Sequence, residues 1–262
     1  MRNSKILART RTGNAARIGW LGHFVPAYIA HAANLGFDAI WLDLEHRPMD
    51  AREVQALLAL FHLYDVDCLL RTPTREKSQL YRYLEDGATG LMVPHVSTPD
   101  EARDLVRKVK YPPVGDRGLD GNGLETNYGV NLTTKETFVE HALRETILAI
   151  QIETPEGLAN VDEIAAVEGV DALYIGPGDM SIRMQHEPED RRANNDQIMQ
   201  RVAAAAQKQE KLWGFYAHSV DELRQQHQLG AQLLVWGIDQ RLIVSGLEQS
   251  RKDLDAVLTS ER

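Results

Sequence analysis

The stretch "NLGFDAIWL", residues 34–42, has the form of a helix end followed by a buried strand, and that form recurs along the chain. A helical tail, a glycine, two or three residues and an apolar run return as "EDGATGLMVP" at 85–94, "VEGVDALYIG" at 167–176 and "QLGAQLLVWG" at 228–237. Gly36, Gly87, Gly169 and Gly230 fit the left-handed backbone position that closes a helix. The runs behind them are continuously apolar, as in parallel strands covered on both faces. The repeating unit is therefore α/β.

Four further runs lack that glycine: "RIGWLG" (17–22), "DCLLRT" (67–72), "ILAIQIE" (147–153) and "LWGFYA" (212–217). With "DAIWLDL" (38–44), "GLMVPHV" (90–96), "ALYIGP" (172–177) and "LLVWGI" (233–238) they make eight strands. The segments between them carry helix signals. In "STPDEARDLVRKVKYPP" (97–113), Pro99 suits a first turn, Asp100 and Glu101 complement the positive helix end, and Ala102, Leu105, Val106 and Val109 form one stripe before Pro112. In "SVDELRQQHQLG" (219–230), Ser219 and Glu222 have capping-box spacing. Eight strands alternating with helices over 262 residues is the count of a (β/α)8 TIM barrel, with a doubly wound open sheet as the alternative. No composition break or long linker divides the chain, so one domain over residues 1–262 is expected.

The 43% apolar and 26% charged content belongs to a globular chain with a sizeable core. The formal charge of −9 disfavours nucleic acid and anionic membranes and favours small-molecule chemistry. Cys68, the single cysteine, allows no internal disulfide and is read as a buried thiol in a reducing, cytoplasmic compartment. The first 17 residues carry five basic groups and no acid, the bias of a transit peptide, but no apolar run follows them. Nor does any stretch reach the ~18 apolar residues of a membrane span. The expectation is a protein neither exported nor membrane-spanning.

In a barrel of this kind, chemistry is carried at the C-terminal ends of the strands. Asp43 and His46 follow the second strand, Arg71 the third, His95 the fourth, Gln151 and Glu153 the fifth, Asp179 the sixth, His218 the seventh and Asp239 the eighth. Any one of these is explained as a cap or a salt bridge, but the set is not. Gln151 and Glu153 lie two apart and share a strand face, where a buried carboxylate needs a partner or a metal. Gly176, Pro177 and Gly178 are read as a tight turn offering N–H groups to an anion. Carboxylates at 153 and 179 with open positions suit Mg²⁺ or Mn²⁺ better than zinc. His23 and His95, at the ends of the first and fourth strands, are read either as pocket residues or as structural histidines. Glu45 and Arg47 are read as salt-bridge formers at the barrel mouth.

The stretches "GFDAIWLDLEH", "LLRTP", "LEDGATGLMVPHV", "DEARDLVRKVKYPPVGDRG", "AIQIETPEGLANVDEIAAVEGVDALYIGPGDMS" and "VWGIDQRLI" resemble the HpcH/HpaI family of class II pyruvate aldolases from about residue 17 to 250. The resemblance implies a phosphoenolpyruvate/pyruvate-superfamily barrel. It also implies reversible, divalent-metal-dependent cleavage of a 4-hydroxy-2-oxo acid to pyruvate and an aldehyde through a metal-bound enolate. It implies His46 as base, Asp43 as the acid orienting it, and Arg71 as the group stabilising the enolate. Glu153 and Asp179 would hold the metal (Mg²⁺ or Mn²⁺, with Co²⁺ a further candidate), and Gln151 with the Pro177–Gly178 backbone would hold the pyruvyl carboxylate. Glu85, or Asp86 in a shifted register, would tune the histidine, often across a subunit contact. A homo-oligomer, hexamer or trimer, is implied, with 240–262 an exchanged C-terminal helix. A CoA-thioester lyase of the citrate-lyase β-subunit type is the related alternative, and a non-catalytic barrel scaffold the alternative of another class. Two segments depart from the family pattern. "GLDGNGLETNYGVN" (118–131) is expected to be a flexible surface loop rather than a phosphate loop, and "QHEPEDRRANN" (185–195) a solvated loop.

Overall fold

The computed structural model describes residues 2–130, 132 and 134–259. Its eight strands are β1 Ala16–Leu21, β2 Ala39–Asp43, β3 Asp67–Arg71, β4 Gly90–Val93, β5 Ile147–Ile152, β6 Ala172–Ile175, β7 Leu212–Tyr216 and β8 Leu233–Ile238. The helices are α1 Lys5–Thr10, α2 Pro26–Asn34, α3 Ala51–Leu63, α4 Lys77–Glu85, α5 Pro99–Val109 and α6 Lys135–Glu145, followed by α7 Pro155–Ala159, α8 Val161–Ala165, α9 Pro177–Met184, α10 Asn195–Lys208, α11 Val220–Gln228 and α12 Asp239–Thr259. All strand pairs are parallel and the sheet closes on itself in sequence order. Closure is made by β1 against β8, from Ala16 opposite Leu233 to Trp20 opposite Ile238, with a register shift between Ile18 and Trp20. That pairing excludes the open sheet.

The local signals fold as their chemistry dictates. Gly36, Gly87, Gly169 and Gly230 all take positive φ, between 81° and 109°. Thr98 and Glu101 form a reciprocal capping box at the start of α5, a feature contributing about 1 kcal/mol. Ala102, Leu105, Val106 and Val109 are all buried against the barrel. At α11 the Ser219 side chain accepts from the Glu222 N–H, while the Glu222 carboxylate accepts from the His218 N–H at 2.7 Å.

The N-terminal end of the barrel is sealed by the chain's own first residues. Asp67, fully buried at the start of β3, accepts from Arg2 Nη2 at 2.8 Å, Ser4 Oγ at 2.6 Å and the Ile6 N–H at 3.0 Å. Beside it Glu145, which ends α6, accepts from the Ser4 N–H at 2.9 Å and Arg11 Nη1 at 2.8 Å. Burial pushes Asp67 upward in pKa, against the pull of Ser4, the Ile6 N–H and Arg2.

Residues 118–131 differ from the flexible loop expected of them; Asn131 lies outside the described residues. Leu124 and Thr126 are buried, and Leu119 and Leu132 pack on a small cluster of Tyr111, Phe138 and Ala142. Buried Arg117 sits 4.6 Å over the Tyr111 ring and donates to both Glu125 oxygens at 2.7 and 2.8 Å. A Cβ on Gly87 would touch Leu124 at 3.0 Å, so the segment packs on the end of α4 that precedes β4, away from the strand C-termini. Its glycines form no phosphate cradle at the barrel mouth.

Candidate active site

Strand parity and register aim a set of side chains into the barrel above its core. Trp20 pairs with Trp41, Asp43 with Arg71, and Gln151 with Tyr174 across neighbouring strands. Residues opposite one another in a parallel pair point the same way, here into the lumen. They open into a cavity of about 320 Å³ at the C-terminal ends of the strands, lined also by His46, Glu153, Asp179, Tyr216, His218 and Arg241. Trp20 and Trp41 stack with centroids 4.2 Å apart and planes at 9°, and the Arg71 guanidinium lies 4.6 Å over the Trp41 ring.

Arg71 is held rigidly. Asp43 accepts from its Nε at 2.9 Å and its Nη2 at 2.7 Å, a two-pronged ion pair that fixes the guanidinium plane. Glu45 Oε2 lies 3.0 Å from Arg71 Nη1 on the other side. The expected Asp43–His46 ring contact is absent among the described residues. Asp43 reaches only the N–H groups of Glu45, at 3.1 Å, and His46, at 3.4 Å, because the β2–β3 register puts Arg71 directly opposite it. The His46 ring is half exposed, its Nε2 3.7 Å from Glu45 Oε2.

Glu153 is the most deeply buried acid of the cavity wall, at 1% exposure. Burial pushes its carboxyl above the usual carboxylate range, Glu45 and Asp179 add to the rise, and His95 opposes it. Its Oε1 accepts from the His95 N–H at 2.7 Å and its Oε2 from Gln151 Nε2 at 2.5 Å. The Gln151 Oε1, buried, has no partner among the described residues, nor have Trp20 Nε1, Trp41 Nε1 and the Tyr174 hydroxyl. Buried polar atoms of this kind are rare in native cores and mark places where a ligand or water completes the bonding. Gly176 is required here: a Cβ would run into both Glu153 and Gln151.

The structure corrects one turn and locates the other groups read from the sequence. Residues 176–179 form no tight turn; Pro177 opens α9 at its first position and has no N–H to offer, while Gly178 and Asp179 lie in the first turn, whose Gly176 cap makes no side-chain bond. Glu85 ends α4, on the side of the barrel opposite the cavity, and its neighbours are Arg117, Glu125 and Asp120. Asp86 caps the same helix and accepts from Gln55 at 3.2 Å, so within one chain neither acid approaches His46. His23 and Asp239 are structural: the Asp239 carboxylate takes the Gly22 and His23 N–H groups at 3.0 and 2.9 Å and lies 2.9 Å from His23 Nδ1.

One cluster went unread in the sequence. His95, in a left-handed conformation at φ 61°, bridges Glu45 Oε1 at 3.0 Å and Glu153 Oε1 at 2.7 Å. Ligand-type atoms of Glu45, His95 and Glu153 all lie within 4.8 Å of one another. Two donor sets thus share Glu153: this mixed one, and the oxygen-only set of Glu153, Asp179 and the unpartnered Gln151 Oε1. The second fits a hard divalent ion such as Mg²⁺ or Mn²⁺.

A parallel eight-stranded barrel with carboxylates, a clamped arginine and a histidine at its strand ends has the layout of a barrel enzyme's active site. The chain belongs to the HpcH/HpaI aldolase/citrate lyase family, whose model matches residues 17–246. It is 35% identical over 246 residues to a hydroxypyruvate/pyruvate aldolase of Pseudomonas aeruginosa, covering 92% of this chain and 89% of that one. A 2-dehydro-3,6-dideoxy-6-sulfogluconate aldolase of Pseudomonas putida is 38% identical over 146 residues, 56% of each chain. In structure it is similar to an HpcH/HpaI aldolase from Desulfitobacterium hafniense DCB-2, with a TM-score of 0.86 at 27% identity over 95% of both chains. The protein is a carbon–carbon lyase of the aldolase type.

Proposed function

We propose that the protein catalyses the reversible, divalent-metal-dependent aldol cleavage of a 4-hydroxy-2-oxo acid to pyruvate, or a close analogue, and an aldehyde. The observation that carries this is the convergence of Glu153, Asp179 and unpartnered Gln151 Oε1 with clamped Arg71 and exposed His46 on one cavity. Glu153 and Asp179 would hold Mg²⁺, Mn²⁺ or Co²⁺, which supplies Lewis-acid polarisation of the 2-oxo acid. Gln151 and the N–H groups of the first turn of α9 bind and orient the carboxylate end. Arg71, immobilised by Asp43 and Glu45, presents a fixed positive charge where negative charge develops, without reorganising during the reaction. His46, unconstrained by other side chains except Glu45, moves the proton at its Nε2. The Trp20, Trp41 and Tyr174 ring faces form an apolar wall beneath these groups, which strengthens each of these interactions.

The test is pyruvate release from a 4-hydroxy-2-oxo acid with and without EDTA. Activity lost to EDTA and restored by Mg²⁺, Mn²⁺ or Co²⁺ is expected; turnover indifferent to EDTA would sink the metal mechanism.

Homo-oligomeric assembly of this single-barrel chain is part of the proposal. Leu242, Ile243, Leu247, Leu254 and Leu258 of α12 are all more than half exposed, an apolar load that a second copy would cover. Of the segment 240–262, the last three residues lie outside those described. Sedimentation velocity of the full chain should show trimers or hexamers, and a monomer would refute it. A cytoplasmic setting completes the proposal, supported by the single, fully buried Cys68 thiol, whose pKa burial pushes far up. Among the described residues no helix is long and apolar enough to cross a membrane.

A further inference from the structure

Three side chains crowd one corner of the barrel mouth without hydrogen bonds between them. His95 Nε2 lies 3.0 Å from Glu45 Oε1, and His95 Nδ1 lies 2.7 Å from Glu153 Oε1. Neither contact is aligned as a hydrogen bond. The one hydrogen bond the ring makes among the described residues is accepted by Nδ1 from Arg183 Nη2, at 3.4 Å. Glu45 Oε2, buried, takes no hydrogen bond either, although Arg71 Nη1 is 3.0 Å away. Lone pairs packed this closely call for a positive centre among them.

The corner is assembled by three strand ends. Glu45 lies two residues past β2, its N–H bonded to Asp43 Oδ1 at 3.1 Å. His95 lies two residues past β4, and its left-handed backbone, at φ 61°, carries its N–H onto Glu153 Oε1 at 2.7 Å. Glu153 directly follows β5 and is buried, so its position is fixed by the barrel itself. The ring of His95 is thereby held between two carboxylates that come from opposite sides.

Ligand-type atoms of the three residues all lie within 4.8 Å of one another. An imidazole nitrogen and two carboxylate oxygens, with room for water, suit a borderline ion. Zinc takes nitrogen at about 2.0–2.1 Å and carboxylate oxygen at about 2.0–2.2 Å, commonly with three protein ligands and an open position. Mg²⁺ and Mn²⁺ favour oxygen alone, the set of Glu153, Asp179 and Gln151. Glu45 can serve zinc through Oε1 while Oε2 stays against Arg71.

The two donor sets are alternatives, because Glu153 belongs to both. Around it the carboxylates of Asp43, Glu45 and Asp179 face the guanidiniums of Arg71 and Arg183. One divalent ion neutralises this group of charges; a second would leave it strongly positive in a largely buried setting.

We propose that Glu45, His95 and Glu153 form a Zn²⁺ site, distinct from the Mg²⁺ or Mn²⁺ set and exclusive with it. Zinc held there draws Glu153 away from the set that orients the 2-oxo acid. That consequence for turnover rests on the aldolase reading; the binding of zinc does not.

The experiment uses the full chain, freed of metal, as wild type, His95→Asn and Asp179→Asn. Asparagine tolerates the left-handed backbone at 95, and the His95 side chain is exposed, so the substitution spares the fold. X-ray absorption of the zinc-loaded wild type, which needs no variant, should show one imidazole nitrogen among the nearest ligands. By calorimetry H95N should bind zinc about tenfold or more weakly than wild type, with D179N within about threefold of it. Electron paramagnetic resonance should show the reverse for Mn²⁺, and zinc added to the manganese-loaded wild type should release the manganese. Zinc bound by oxygen alone, or with equal affinity in H95N, overturns the site; zinc and manganese bound together overturn the exclusion. None of these measurements needs turnover. Aldol activity indifferent to EDTA therefore defeats the aldolase mechanism without touching the zinc result, and a failed zinc site leaves that mechanism standing.

Discussion

The two ends of the barrel use the same materials and reach opposite states. At the N-terminal end Asp67 and Glu145 are buried carboxylates whose oxygens are met by Arg2, Ser4, Ile6 and Arg11, all from the chain's first residues. At the C-terminal end Glu153 is equally buried, yet its neighbours include Glu45 and Asp179, and Gln151, Trp41 and Tyr174 keep polar atoms without partners. Closed bonding makes a seal, and open bonding makes a site.

Substitutions should separate the two. Glu153→Gln is expected to lower aldol turnover about 1000-fold, roughly 4 kcal/mol of transition-state stabilisation, without destabilising the metal-free protein to urea. Asp67→Ala should do the reverse, lowering the unfolding free energy by about 3 kcal/mol because Arg2 and Ser4 lose a buried partner, with activity per folded molecule retained. An Asp67 variant that folds normally but fails in catalysis would break the contrast. Gly176→Ala, whose methyl group collides with Glu153 and Gln151, should reduce kcat about 10- to 100-fold with a smaller effect on KM for the aldehyde, read by steady-state kinetics.

Acid unfolding offers a subtler comparison. Burial alone would raise Glu145, but Arg11 and the Ser4 N–H outweigh it and hold the group below its ordinary value of 4.5. Its stabilisation is therefore present above pH 4.5 and lost as pH falls through the lowered value. Glu153, raised by burial, behaves oppositely in metal-free protein: its stabilisation is present below 4.5 and lost as pH rises through the raised value. Urea titrations across pH should show the Glu145→Gln deficit shrinking on acidification and Glu153→Gln gaining on the wild type as pH rises. Parallel profiles would contradict the assignment of one acid to the seal and the other to the site.

The fold was legible because four of the repeats announce themselves twice, by a glycine at positive φ and by the apolar run behind it, and the other four by the apolar run alone. All eight strands fall within three residues of the boundaries read from sequence. Asp43, Arg71, Gln151 and Glu153 were legible as well, since a polar group at the end of such a strand has few places to go. The aromatic floor was not. Both faces of these strands are buried, β2 and β3 throughout, so hydrophobicity carries no alternation to say that Trp41 faces the lumen. Glu85 ends α4 on the N-terminal side of the barrel, just before β4, so any approach to His46 has to come from a second copy. The partner of Asp43 depended on register across β2 and β3, and the place of His95 on a left-handed backbone angle; local sequence shows neither.

The stacked pair of Trp20 and Trp41 has an optical consequence. Two indoles stacked 4.2 Å apart with nearly parallel planes are electronically coupled, contributing to the circular dichroism in a way that separated rings would not. They sit on β1 and β2, beside the seam where β1 meets β8. The chain thus carries its own spectroscopic gauge of whether the barrel is closed, readable without a label and at a wavelength where neither pyruvate release nor backbone structure needs to be measured.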